Sequence, residues 1–501
     1  MSSDLNWGAA QKLAEQFVAG WKPDEPGGAV LAFDVDGVRF AEVAGIESLS
    51  TGAPFSAGSV VRYASVTKHA FASLVLAHPD KIGLDDRLGE HLQELRSPLA
   101  EVTVGQALDM TGGLPDIREC LTLLGLSVFT ETSAEPLYET IARMTRLNYE
   151  AGCEVSYSNT GYRLVERILE NKGIFFRDHI RRQGAALGVV LDAPDVWNAP
   201  VAGLVPGYWH DGAGWQMSAA GLHISASGSM TGSATALAAW AQALMLGKGA
   251  LAGVLDALSA PRRLADGRVT GYGLGIRRNL LGSRVLLGHG GSHPGYKSQF
   301  LIDPETRTGI VAVANREDAN TYKIAFETMA GLLGEALPES KAGLPDGLYV
   351  TQAGPWWIEA KGTSLTYLDA TDTLYDDGDG WVSSRSGSSP MRLRSDGAEI
   401  VGEIGHAPRR FLPAVDDGVP ASLAGRWLSS EGAMIEIEDG KVVMGVGPVR
   451  HRMPLRSIGR GRYLFTLVDG PWTKTVCLDR LADDRFELVL SRARMIEYRR
   501  A

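Results

Sequence analysis

Cysteine is scarce in this chain: three in 501 residues, at Cys120, Cys153 and Cys477. An odd, sparse set excludes a disulfide framework, so all three read as reduced, buried small side chains. No run of ~18 or more apolar residues occurs, which excludes a membrane-spanning helix. The opening Met1-Ser2-Ser3-Asp4 has no basic stretch and no long apolar segment behind it, so a cytoplasmic protein is expected. Basic clusters are lacking too. Lys and Arg number 49 against 59 Asp and Glu, a formal charge of −10. That balance argues against nucleic acid and anionic membrane as partners. The ten histidines are scattered with no H-E-x-x-H pattern, which argues against a zinc peptidase.

What is present points to a globular chain of more than one domain. The apolar fraction is 45% and the charged fraction 22%, enough to build cores and solvate surfaces. Residues 5–20 carry helical spacing, with Leu13 and Phe17 on one face. Ala29 to Phe33, the Asp36-Gly37 turn and Val38 to Ala41 read as a β-hairpin. Ala238 to Leu246 and Ile324 to Leu333 read as helices, and Val285 to Leu287 and Ile310 to Val313 as strands. This mixture predicts an α/β-type domain over residues 1–338. Leu337 to Gly343 reads as a linker.

Beyond the linker, helical periodicity nearly vanishes. Short alternating runs take over, such as Met391 to Arg394 before Asp396-Gly397 and Met434 to Glu438 before Asp439-Gly440. Phe486, Leu488 and Leu490 continue the alternation near the end. Regular short strands with turn signals predict all-β barrels or sandwiches. A weak repeat divides this tail: Gly347, Tyr349 and Gly362 correspond at one constant offset to Gly425, Trp427 and Gly440. Two small β domains of similar fold are therefore expected, at 344–415 and 416–501.

Three pieces carry candidate chemistry. Ser65-Val66-Thr67-Lys68 puts a serine and a lysine on one helix face, at a helix start with free N–H groups nearby. A neutral or proton-sharing lysine there lowers the cost of removing the serine proton. By chance alone, Ser and Lys fall three apart in most long chains. Tyr157-Ser158-Asn159 precedes the helical pattern of Tyr162, Leu164, Val165, Ile168 and Leu169. It reads either as a proton-relay tyrosine with a substrate-facing amide or simply as an N-capping turn. His289-Gly290-Gly291-Ser292 follows an apolar strand. There the histidine can bring positive charge or a proton, and the glycines allow close backbone approach. Alone, a His before Gly-Gly is more often only a turn.

The order and local context of these pieces, together with Asp109 to Pro115, Gly228-Ser229, Pro294-Gly295-Tyr296 and Asp303-Pro304-Glu305, resemble the penicillin-recognising serine hydrolases. The resemblance covers residues 10 to 335. It implies an α/β (α+β) β-lactamase/penicillin-binding-like catalytic domain followed by two antiparallel β-barrels. The two-barrel tail and His289-Gly290-Gly291 are similar to the D-stereospecific aminopeptidase branch. By that resemblance Ser65 is the nucleophile, Lys68 and Tyr157 share the base role, and His289 supports proton delivery as a cation. Asn159 contacts the substrate amide, and the N–H groups of Ser65 and Ser292, beside Gly291, form the oxyanion hole. In that branch a loop of the second barrel binds the substrate amine, which maps here to Leu467–Trp472 and its carboxylate Asp469.

The implied activity is release of N-terminal D-amino acids from small peptides, amides or esters, without metal or organic cofactor. Two alternatives are an esterase, β-lactamase-like enzyme or other peptidase of the same fold, and a non-catalytic binding module. A homodimer is left open.

Overall fold

The computed structural model describes residues 5–223 and 225–501. Its catalytic part is built on a six-stranded antiparallel sheet. The strand order is Val38–Ala44, Gly28–Asp34, Thr308–Ala314, Tyr296–Asp303, Arg284–His293, Arg277–Leu281. Every residue of Gly28–Asp34 and Thr308–Ala314 is buried, because both faces of the sheet are covered. Val30, Ala32, Ile310 and Ala312 pack under the helices Trp7–Val18 and Thr321–Leu333. Alternate residues Ala29, Leu31, Phe33, Val311 and Val313 face the core holding Phe71 and Trp240. The period of two therefore sorts one strand's side chains into two separate cores.

The helix Thr67–Leu76 lies within the second of these cores, and all but its last residue are buried. Residues that must be apolar on every face explain the run Ala70, Phe71, Ala72, Leu74, Val75. The run also buries Lys68, which is 0% exposed.

The tail forms two nine-stranded antiparallel sheets with the same strand order, the second repeating the first nine strands later. In the first sheet the edge strands are Ala370–Thr373 and Tyr375–Asp376, joined through Leu374 alone. In the second they are Val449–Pro454 and Arg456–Gly459, joined through Leu455. A chain passes from one edge of a sheet to the other across one residue only when the sheet curls round to meet itself, so each is a barrel. The repeat read from Tyr349 and Trp427 corresponds to buried residues in matching strands, Gly347–Thr351 and Gly425–Ser429.

The barrels are seated differently. The second shares one continuous hydrophobic core with the catalytic part, through residues such as Trp427, Met444 and Phe465. The first has its own core, touched by Ile458, Leu464, Cys477 and Val489 of the second. The sequence reading needs one correction here: Cys153 is exposed, while Cys120 and Cys477 are buried and all three are free thiols.

Candidate active site

Ser65 sits in the single 3-10 turn Ala64–Val66, which feeds directly into the helix Thr67–Leu76. Ala64 adopts φ +50°, a left-handed conformation costly for a residue with a Cβ. The turn is pinned from the sheet, where Ser298 Oγ donates to Tyr63 O at 2.6 Å. Gly291 passes so close that a Cβ there would lie 2.0 Å from the same Tyr63 oxygen. Glycine at 291 therefore lets the strand carrying Ser292 reach the Ser65 turn.

One helical turn on, Lys68 Nζ lies 2.8 Å from Asn159 Oδ1, 2.7 Å from Ser227 O and 3.3 Å from Ser65 Oγ. The two carbonyls only accept. A neutral amine has two N–H donors for them and one lone pair left, directed at a hydroxyl that can donate. Burial drives the Lys68 pKa well below the ordinary lysine value. Asp116 opposes this, and Arg492, Arg118 and Arg277 add to it.

Asn159 stands at the start of the helix Thr160–Asn171 but makes no side-chain cap. Its Nδ2 and its backbone N–H both donate to Asp116 Oδ2 at 2.7 Å. The other Asp116 oxygen accepts from the N–H groups of Arg118 and Glu119, capping the helix Ile117–Leu123. Asn159 therefore orients Lys68, and its amide group lines the cleft as well.

The Tyr157 hydroxyl is buried and lacks a well-formed hydrogen bond among the described residues. Burial raises its pKa, with Arg277 and the nearby Ser65 hydroxyl pulling the other way. It is a phenol at neutral pH. Both barrels hold the segment leading to it: Glu154 pairs with Arg409 of the first at 2.7 Å and with Arg494 of the second at 3.2 Å.

Two expectations are corrected. His289 is 0% exposed. Its Nδ1 lies 2.6 Å from Gly290 O, so Nδ1 carries the hydrogen, and Nε2 accepts from the Tyr272 hydroxyl at 2.8 Å. Burial, then Arg277 and Lys68, hold its pKa well below the usual imidazole value, so it is neutral rather than a cation. The nearby cations are Arg118, Arg277 and Arg492, which the sequence reading missed.

The Asp469 carboxylate is not turned toward Ser65. Its carboxylate accepts from Ser127 Oγ at 2.6 Å and Val128 N at 2.5 Å, docking the hairpin Arg462–Asp469/Trp472–Ala482 onto the catalytic part. The tip beyond it does reach the site: Pro471 and Trp472 line one cavity with Arg118, Asn159 and Ser292, while Asp469 stays at the docking surface. A second barrel segment, Leu490–Met495, enters the site as well. Arg492 lies 4.7 Å from the Tyr157 ring centre, and its backbone O accepts from Asp116 N at 2.8 Å. Gly291 and Ser292 line the same cavity of about 380 Å³ as Ser65, Tyr157 and Asn159.

A half-buried serine at a helix start, a buried lysine poised to be neutral and a phenol beside both have the residue types and placement that serine-hydrolase chemistry uses. Residues 10–328 match the family described as Beta-lactamase, and the chain belongs to that family. The chain is 24% identical over 507 residues to a D-aminopeptidase of Cereibacter sphaeroides, covering 95% of this chain and 96% of the relative. A D-amino acid amidase from Ochrobactrum anthropi superposes with TM-score 0.54 at 22% identity, covering 66% of this chain and 98% of its own. An octameric penicillin-binding protein homologue from Pyrococcus abyssi superposes with TM-score 0.56 at 16% identity, over 98% of this chain and 99% of its own. The aminopeptidase and Pyrococcus likenesses span the barrels as well as the catalytic part, and the amidase likeness covers two thirds of the chain.

Proposed function

We propose that this chain is a D-stereospecific serine hydrolase that releases N-terminal D-residues from small peptides, amides or esters through an acyl-enzyme on Ser65. The observation that carries the reading is the Lys68 environment: two obligate acceptors, one hydroxyl and complete burial. The stereochemical preference draws its support from the D-aminopeptidase and D-amino acid amidase relatives.

In the acylation step Ser65 Oγ attacks the substrate carbonyl and Lys68 Nζ takes its proton. The carbonyl oxygen becomes an oxyanion, received by the N–H groups of Ser65 and Ser292. Losing one such donor costs about 3–4 kcal/mol of transition-state stabilisation. The proton passes through the Tyr157 hydroxyl to the leaving nitrogen or oxygen, and the C–N or C–O bond breaks. Water then attacks the acyl-enzyme and gives its proton to Lys68 by the same route. As the acyl C–O bond breaks, Lys68 returns that proton to Ser65 Oγ, and the free acid leaves. Positioned general-base catalysis of this kind contributes about 10²–10⁴-fold. His289 acts through Tyr272 and the Gly290 carbonyl as a neutral prop. The cytoplasmic location belongs to the same proposal; its support is three separate thiols, and cell fractionation tests it.

The test is a panel of D- and L-aminoacyl p-nitroanilides with N-acylated controls, run on wild type and Ser65→Ala. The reading expects turnover of D-substrates, abolished in Ser65→Ala with an unchanged melting curve. Equal turnover of both enantiomers overturns the stereospecificity, and retained turnover in the variant overturns the nucleophile.

A further inference from the structure

Arg118 and Arg492 line one side of the Ser65 cleft, and Arg277 lies in its wall beside Tyr157. A guanidinium carries five N–H donors and no acceptor, and here the protein supplies almost nothing to receive them. The Arg118 head makes no hydrogen bond or ion pair among the described residues and lies 4.9 Å from the Trp472 ring centre. The Arg277 head is equally unpaired, with Nε buried and unpartnered and the Tyr157 ring 5.8 Å away. Arg492 has one long approach, Nε to Glu119 Oε1 at 3.9 Å.

The neighbouring lysines behave differently. Lys297 is paired with Glu317 at 2.5 Å and Lys474 with Asp369 at 3.0 Å. Two of the nearby acids are also committed. Asp116 serves Asn159 and the helix start. Glu119 receives Arg492 N at 2.7 Å and Ser491 Oγ at 3.3 Å. Asp372 of the first barrel lines the adjoining cavity with Arg277 and is pushed up to about 6 by burial, without forming an ion pair.

We propose that the arginine-lined face of this cleft reads a carboxylate on the substrate. The inference rests on the serine hydrolase reading and narrows its substrate class. A carboxylate brings acceptors only and meets two arginine forks with charge-assisted hydrogen bonds. An ammonium brings more donors and faces like charge in a partly dry site, so this face does not receive the substrate amine. The second barrel thus contributes a cation, Arg492, where the sequence reading expected the carboxylate of Asp469. The substrate carboxylate has two possible sources: the side chain of an acidic D-residue on the acyl side, or the free terminus of the leaving group.

Two isosteric pairs separate these sources. On the acyl side, D-glutamyl and D-glutaminyl p-nitroanilides differ only as carboxylate and carboxamide. On the leaving side, D-alanyl amides of 4-aminobenzoate and 4-aminobenzamide do the same. The expected result is a carboxylate preference in kcat/KM of about tenfold or more in one pair. That ratio falls to about twofold or less in Arg118→Gln and in Arg492→Gln. The ratio within each variant is the readout, so any effect of the arginines on Lys68 cancels. Ratios near one in both pairs, or a preference that survives both variants, overturn the inference. Calorimetry of D-glutamate against D-glutamine and of 4-aminobenzoate against 4-aminobenzamide on Ser65→Ala repeats the comparison without turnover. Should no D-substrate be cleaved, the hydrolase reading fails by itself, and the calorimetric ratio still decides for or against the arginine face.

Discussion

The two barrels have the same strand order and do different work. In the first, the strands Glu399–Ile404 and Ala407–Pro413 are joined by two residues, Gly405 and His406. In the second, the corresponding strands Arg485–Val489 and Ile496–Arg500 are joined by six, Leu490–Met495. The short turn ends against the segment before Tyr157, where Gly405 O accepts from Val155 N at 3.0 Å. The longer one continues inward, caps Glu119 with Arg492 N and lays the Arg492 head against Tyr157. One duplicated scaffold thus yields a brace and an active-site contributor, and the difference lies in the length of a single connection.

The comparison is broken first at the residue both barrels share. Glu154 is buried between Arg409 and Arg494, and Glu154→Ala leaves two guanidinium groups without their partner. Loss of one side of a buried pair costs about 3–5 kcal/mol, so the midpoint of denaturant unfolding should fall sharply. A change under about 1 kcal/mol would show that the barrels do not depend on this junction.

Exchanging Leu490–Met495 for the two-residue Gly-His turn of the first barrel should lower kcat/KM on D-substrates by about 10- to 100-fold, for the loss of an ordered contact to Tyr157 and of two caps on the Asp116 helix. Unchanged kcat/KM with unchanged melting would reduce the second barrel to a brace as well.

Asp469→Asn weakens two hydrogen bonds to a charged acceptor. The expected cost is about 1.5–3 kcal/mol of stability, with the ratio of free-amine to N-acylated turnover unchanged. A selective loss on free-amine substrates would restore Asp469 as the amine site. The smallest effect belongs to Trp472→Ala. It removes the ring over Arg118, about 0.5–1 kcal/mol of interaction, and is read as a slightly weakened substrate affinity.

The parts of the site that were legible in the sequence are those whose partners are local. Ser65 and Lys68 are one helical turn apart, and Tyr157 and Asn159 sit together at one helix start, so spacing alone shows each pair. The barrel tail was legible from alternation and from the repeat of Tyr349 and Trp427. The charge pattern was not. His289 reads as a cation in sequence, because only the fold shows its burial and its two occupied nitrogens. Asp469 was read on the correct hairpin, which does reach the catalytic part, but a two-residue tip holds it at the docking surface. Arg118, Arg277 and Arg492 come from a helix, a strand and a barrel connection far apart in the chain. Nothing local distinguishes them from the surface arginines around them. Asp116 carries no local signal in the sequence, although it ties Asn159, a helix start and the barrel backbone together.

The measurement that bears most directly on the account is the rate at which a fluorophosphonate labels Ser65 as a function of pH, with the site of labelling read by peptide mass. Lys68 must lose its proton to act as base, and its pKa is held well below the ordinary value of 10.5 by burial and by the arginines. The account therefore predicts a labelling rate that rises with pH through a midpoint well below 10.5. In Arg277→Gln one of the cations that depress the lysine is gone, so the limb moves to higher pH. A rate that is flat across the range, a limb at the position of an ordinary lysine, or a label on a residue other than Ser65 would contradict it.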